Sequence, residues 1–169
     1  MDLFFCHGLE TGPHGRKYQA LAAADLNPIA PDFQGMALAA RVAVLRPLLA
    51  ASPDAVVVGS SYGGITALCA AIQVVNAGGS IGGLVLCAPA LGRNEPPADQ
   101  LVLRAPAPTT IIHGLRDQIV PVAVSRDFAR ANPTVRLIEV DDEHRLVEAL
   151  PLIVDATRAM IATAAAARR

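Results

Sequence analysis

The sequence predicts an α/β fold: a three-layer sandwich of about six parallel strands with helices on both faces. Two observations carry that expectation. Apolar runs rich in β-branched residues alternate with Ala- and Leu-rich helical patterns from one end of the chain to the other. Strand–helix–strand order of this kind demands right-handed crossovers and parallel pairing. Hydrophobic residues also make up 53% of the 169 positions, enough to bury strands on both faces. The length suits one domain, 1–169, with a real core. No internal repeat or interdomain linker is visible.

The elements follow in order. Leu3 to Cys6 reads as the first strand, and His14 to Ala24 as the first helix, starting near Gly15. Asn27 to Ala30 is a short second strand, ended by Pro31-Asp32. Ala37 to Ala51 is helical, with Leu38, Val42, Leu45 and Leu49 at helical spacing and Pro47 as a late kink or stop. Ala55 to Val58 is the third strand. Tyr62 to Asn76 is the helix behind it, stopped by Gly78-Gly79. Ile81 to Cys87, Thr109 to His113 and Val135 to Val140 complete the strands, with a helix over Val122 to Ala131 between the last two. Leu146 to about Ala165 is the closing helix, its first turns bent or broken by Pro151. From Pro89 to Pro108 the pattern lapses, apart from a short helical possibility at Asp99 to Arg104. That stretch is too short for a helical cap domain, so a site above the sheet is expected to be open.

Composition narrows the function. The formal net charge is -1 and no Lys/Arg stripe stands out, which argues against nucleic acid or an anionic membrane as partner. No apolar run crosses a bilayer's width without Gly, Pro or charge, so no membrane span is expected. The opening Met1-Asp2-Leu3-Phe4-Phe5-Cys6-His7 lacks a basic leader and reads as a strand rather than a secretion signal. Cys6, Cys69 and Cys87 have neither disulfide nor zinc spacing; three buried, reduced thiols point to a cytoplasmic protein. Arg168-Arg169 reads as a frayed, solvated end.

The chemistry concentrates at Gly59-Ser60-Ser61-Tyr62-Gly63, a Gly-x-Ser-x-Gly where a strand turns sharply into a helix. Such a turn lifts the Ser61 hydroxyl above the sheet. Ligands of an open parallel sheet bind beyond the carboxyl ends of its strands. Asp117 and His144 also fall just past such ends, in the order Ser, acid, His. A serine hydroxyl is a poor nucleophile at neutral pH. His144 must take its proton, and Asp117 must fix the imidazole tautomer. Charge then builds on a former carbonyl oxygen, where two backbone amides must already point. Tyr62 supplies one, and Cys6-His7-Gly8-Leu9 offers the Leu9 amide as the other.

Competing readings are local. Ser60 precedes the apex of the turn and is expected to bond nearby backbone. Asp141 and Asp142 are rival acids, and adjacency to His144 gives neither the needed approach to its ring. Asp117 also has the bland role of capping the next helix or pinning its own loop. His7 and His113 read as packing and turn residues, and His14 as solvent-facing. Glu10, Thr11, Arg16 and Lys17 follow the oxyanion loop; they are candidates to touch a polar or anionic substrate, and solvated loop positions are the favoured reading. Phe33, Met36 and Leu91 are candidates for an acyl-pocket wall or for ordinary packing.

Three segments carry a resemblance. Val58-Gly59-Ser60-Ser61-Tyr62-Gly63-Gly64, the run from His113 through Asp117 to Pro121, and Asp141-Asp142-Glu143-His144-Arg145-Leu146 resemble the catalytic segments of α/β-hydrolases. The small size, the His7-Gly8 opening and the missing cap resemble the compact YqiA-type esterases of that superfamily. The resemblance implies esterase or thioesterase activity without a cofactor, with Ser61, Asp117 and His144 as the triad. It also implies that two N-terminal strands of the full fold are missing. The expected partner is a small ester or thioester; oligomeric state and acyl preference are open. Two other functions share these residues: a non-catalytic binding module, and an acyltransferase or perhydrolase with another acyl acceptor. Metal- and nucleotide-dependent enzymes lack their ligand spacings here, and dehalogenases and epoxide hydrolases would place Asp where Ser61 stands.

Overall fold

In the computed structural model the apolar runs lie side by side as parallel strands, and the structure describes residues 1–92, 101–102 and 107–168. β1 (Leu3–Cys6), β2 (Val56–Ser60), β3 (Gly83–Cys87), β4 (Thr109–Gly114) and β5 (Val135–Val140) form one sheet in the order β1-β2-β3-β4-β5. The register pairs Phe4 with Val57, Val58 with Val85, Leu86 with Ile111, and Ile112 with Ile138.

Helices cover both faces because the strands are apolar on both. On one face Phe4, Val57, Leu84, Leu86 and Ile111 pack against α2 (Leu38–Ala51), α3 (Tyr62–Asn76) and α4 (Val122–Ala131) through residues such as Leu45, Leu68 and Phe128. On the other, Leu3, Phe5, Val58, Val85 and Ile112 meet α1 (Arg16–Ala23) and α5 (Leu150–Ala167) through Leu21, Ile153 and Met160. This is the expected three-layer arrangement.

The expected second strand is reduced to one bridge, in which Ile29 pairs in parallel with Phe4 on the outer side of β1. The Ile29 amide donates to Leu3 O and its carbonyl accepts from the Phe5 amide, each at 2.8 Å. Pro28 and Pro31 have no N–H to extend the ladder, and Asn27 has φ +45°. Even so, that bridge sets the topology. After β1 the chain steps to one side, at Ile29, then returns through α2 to β2 on the other. The strand order reverses between β1 and β2, and the carboxyl ends beside such a reversal are where open α/β sheets hold their ligands.

Pro47 neither ends nor divides α2. It lies on the exposed side, while Leu45 and Leu49 are fully buried. Pro151 occupies the first turn of α5, where no backbone N–H donor is needed for the helix, so the helix begins at Leu150 rather than Leu146. Leu146 instead sits at φ +51° in a turn. The helical possibility at Asp99 to Arg104 lies largely outside the described residues, as does Arg169. Arg168 is not a frayed end: its Nε meets Asp54 Oδ2 at 2.8 Å, and a second nitrogen donates to Pro53 O. By length and mean hydropathy alone α5 is apolar enough to cross a membrane. It carries Pro151, Asp155 and Arg158, and it buries Ile153, Val154 and Met160.

Candidate active site

The sharp turn at Ser61 is built by its neighbours' lack of side chains. Ser61 has φ +53° and ψ −116°, a region non-glycine residues rarely enter. A Cβ on Gly59 would lie 2.6 Å from Gly63 O. A Cβ on Gly63 would collide with the carbonyl oxygen of Cys6. Two glycines therefore let α3 start against the ends of β1 and β2. The Ser61 amide is anchored to Cys87 O at 2.9 Å.

Ser61, His144 and Asp117 come from three strand ends and form one hydrogen-bonded row. His144 Nε2 lies 2.9 Å from Ser61 Oγ, and Nδ1 lies 2.6 Å from Asp117 Oδ2. A carboxylate only accepts, so Nδ1 carries the proton and Nε2 is left to accept from the hydroxyl. The Asp117 side chain is fully buried. Its Oδ1 accepts from the Ile119 and Val120 amides at 2.8 Å each. Asp117 thus pins its own loop and meets His144 at once. It does not cap α4, whose N-cap residue is Pro121.

The rival groups are occupied elsewhere. Asp141 pairs with Arg116 at 2.8 Å. Asp142 is buried and accepts from the Glu143 and Ala149 amides, fixing the turn that presents His144. His113 is buried between Ser125 Oγ and Val120 O, with Nε2 3.2 Å from Asp117 Oδ2. His7 accepts at Nε2 from the Phe33 amide, which leaves Nδ1–H to donate to Gly8 O, both at 2.8 Å. Burial pushes the His7 pKa below its ordinary value, so the ring is neutral. His14 is exposed, edge-on to Tyr18.

The loop after β1 is held from inside by a residue that sequence reading passed over. Arg41 is 0% exposed. Its Nη1 donates to His7 O at 3.0 Å and its Nε to Met36 O at 3.1 Å, and both Nη atoms lie 3.5 Å from Gly8 O. The guanidinium also stacks 4.9 Å from the Tyr62 ring centroid and 5.6 Å from that of Phe33. With Gly8 O turned inward, a planar trans peptide directs the Leu9 N–H the opposite way. The Leu9 amide has no hydrogen-bond partner among the described residues. Tyr62 opens α3 directly after Ser61, and its hydroxyl accepts from the Leu38 amide at 3.0 Å.

Comparison with known proteins agrees with this architecture. Residues 3–168 match the profile of the alpha/beta hydrolase family. The chain belongs to that family. No curated protein matches it in sequence. Among solved structures it is similar to a protein assigned to the α/β hydrolase superfamily from Xanthomonas campestris pv. campestris, at 25% identity and TM-score 0.78, covering 96% of this chain and 98% of that one. Est1E from Butyrivibrio proteoclasticus shares the fold at 18% identity and TM-score 0.79, covering 97% and 88%. A monoacylglycerol lipase from Paleococcus ferrophilus does so at 15% identity and TM-score 0.71, covering 95% and 94%.

In this alpha/beta hydrolase a cavity of about 440 Å³ opens beside Ser61 and His144, lined also by Ser60, Gly8 and Leu9. Of the two readings of Phe33, Met36 and Leu91, acyl-pocket wall or ordinary packing, the structure shows packing, and none of the three is part of that lining. Phe33 and Leu91 are core residues and Met36 packs against the core. The lining instead includes Glu10, Arg16, Lys17, Ile119 and Arg145. Lys17 is not a solvated loop residue: it is 8% exposed, and its Nζ donates to Arg145 O at 2.7 Å. Burial lowers its pKa, opposed by the carboxylates of Asp142 and Asp117. The burial of both cations, Arg41 passed over and Lys17 read as solvated, had a sequence signal. Arg41 falls on the Leu38–Val42–Leu45 stripe, and Lys17 lies one turn before Leu21. Among the described residues no group of three or more His, Cys, Asp or Glu side chains is arranged to hold a metal ion.

Proposed function

We propose that this protein hydrolyses carboxylic esters or thioesters through an acyl-enzyme on Ser61. The observation that carries this reading is the continuous row from Ser61 Oγ through His144 to the buried Asp117 carboxylate, at 2.9 and 2.6 Å. Ser61 Oγ attacks the acyl carbon while its proton passes to His144 Nε2. The imidazolium is stabilised by Asp117. The negative oxygen of the tetrahedral intermediate is received by the Leu9 and Tyr62 amides. Collapse expels the alcohol or thiol, which takes the proton from His144. Water then gives a proton to His144 and attacks the acyl-enzyme, and the same sequence releases the acid and restores Ser61.

The buried, free Cys6, Cys69 and Cys87 fit a reducing, cytoplasmic setting. Burial raises their thiol pKa values to about 12, 11 and 11, so none competes as the nucleophile. The test is turnover of p-nitrophenyl butyrate by the parent and by Ser61→Ala, with circular dichroism to verify folding. Loss of about three orders of magnitude or more is expected for the variant. Equal turnover would remove Ser61 from the mechanism.

A further inference from the structure

The cavity beside Ser61 gathers two arginines whose charges are unmatched. Four arginines elsewhere pair with acids, Arg116 with Asp141, Arg126 with Glu139, Arg130 with Asp127, and Arg168 with Asp54, while Arg46 and Arg136 have no ion-pair partner among the described residues. Arg16 and Arg145 line the cavity, and neither guanidinium has a hydrogen-bond or ion-pair partner among the described residues. They come from distant parts of the chain, Arg16 from the start of α1 and Arg145 from the position after His144. Lys17 joins the two segments through the Arg145 carbonyl. Lys17 is 8% exposed and its ammonium is held by that carbonyl, with no carboxylate at ion-pair distance among the described residues. Among the described residues Glu10 is the one carboxylate on this lining. The balance there is positive in a chain whose net charge is -1.

The other notable lining residues are apolar. Leu9 is 46% exposed and Ile119 65% exposed, and both line this one cavity, where they offer hydrocarbon beside the two guanidinium groups. A guanidinium fork matches the planar or tetrahedral oxygens of carboxylate and phosphate. We propose that the substrate of this site is an anionic ester or thioester: a short hydrocarbon segment lies against Leu9 and Ile119, and a carboxylate or phosphate is received by Arg16 and Arg145. This rests on the ester-hydrolase reading above and adds the substrate class. It makes Arg16 and Arg145 specificity-determining residues, and Glu10 a brake on anion affinity.

The test uses matched esters that differ in one charge. On the acyl side, mono-p-nitrophenyl glutarate is compared with p-nitrophenyl pentanoate. On the leaving side, p-carboxyphenyl butyrate is compared with its methyl ester. The parent is expected to favour the anionic member of at least one pair by about tenfold in kcat/KM at low salt, with the preference shrinking in high salt. Arg16→Glu and Arg145→Glu should each bring that ratio to about one or below, and Glu10→Gln should raise it. Calorimetric binding of the same esters to Ser61→Ala reads the anion preference without turnover. Equal affinity for both members of both pairs, or a preference that survives both arginine substitutions, would overturn the proposal. Tighter binding of the anion with no hydrolysis by the parent would support the anion site and overturn the hydrolase reading alone.

Discussion

Arg41 shows how one residue can matter to a reaction it does not touch. It is a buried cation with no carboxylate in contact among the described residues, satisfied by the carbonyls of His7 and Met36. Its Nη atoms also approach Gly8 O at 3.5 Å, beside the 2.8 Å bond from His7 Nδ1, and these contacts turn the Gly8–Leu9 peptide and through it the Leu9 amide. Replacing Arg41 with Met keeps apolar volume but strands the carbonyls, each worth about 1–3 kcal/mol when left unsatisfied. Arg41→Met is therefore expected to lose stability and about 10- to 100-fold in kcat with KM little changed, because a misaimed donor is missed mainly in the transition state. Arg41→Lys should recover part of the kcat. A change in KM alone would contradict a role in holding the loop. His7, next to it, gives a pH signature. Its pKa is lowered by burial, first of all, so the unfolded chain binds the extra proton before the folded one does. Its contribution is complete above the ordinary histidine value of 6.5 and is lost as pH falls below that value toward the folded pKa. Urea denaturation midpoints should fall between about pH 7.5 and pH 5.5, and less steeply in His7→Asn. Identical slopes would show that His7 does not titrate differently on folding.

At the scale of elements, the turn between β2 and α3 is the tightest construction in the molecule. Gly59→Ala would drive a methyl into the Gly63 carbonyl, at 2.6 Å with backbone on the far side. Overpacking of this kind costs about 1–3 kcal/mol, and the displaced elbow would carry Ser61 away from His144. Loss of both stability and ester turnover is expected. A variant as stable and active as the parent would mean that the turn has slack the coordinates deny. This turn was legible in sequence because its chemistry is local: glycine, serine and glycine at fixed spacing between an apolar run and a helix. The edge strand was less so. Asn27 to Ala30 has the right composition but contains Pro28 and is followed by Pro31, and within it only Ile29 pairs with β1, through both its amide and its carbonyl. The start of α5 moved four residues for a related reason. Pro151 fits a first turn, and Asp142 accepts from the Ala149 amide ahead of it.

Across the whole molecule, the sheet brings together what the chain keeps apart. The carboxyl ends of β2, β4 and β5 deliver Ser61, Asp117 and His144, and the reversal between β1 and β2 places the Leu9 loop opposite them. Those positions followed from strand ends alone, so sequence sufficed. The cavity did not follow, because its walls depend on which loop side chains fold inward. Phe33 and Leu91 went into the core, while Arg16 and Arg145 took the lining. Catalysis requires that this assembled row activate Ser61. Labelling with a fluorophosphonate, located by peptide mass spectrometry, tests that most directly. Stoichiometric modification of Ser61 is predicted in the parent, with a rate lower by about a thousandfold or more in a folded His144→Ala variant. An unlabelled parent, a label on another residue, or equal rates in the two proteins would contradict it.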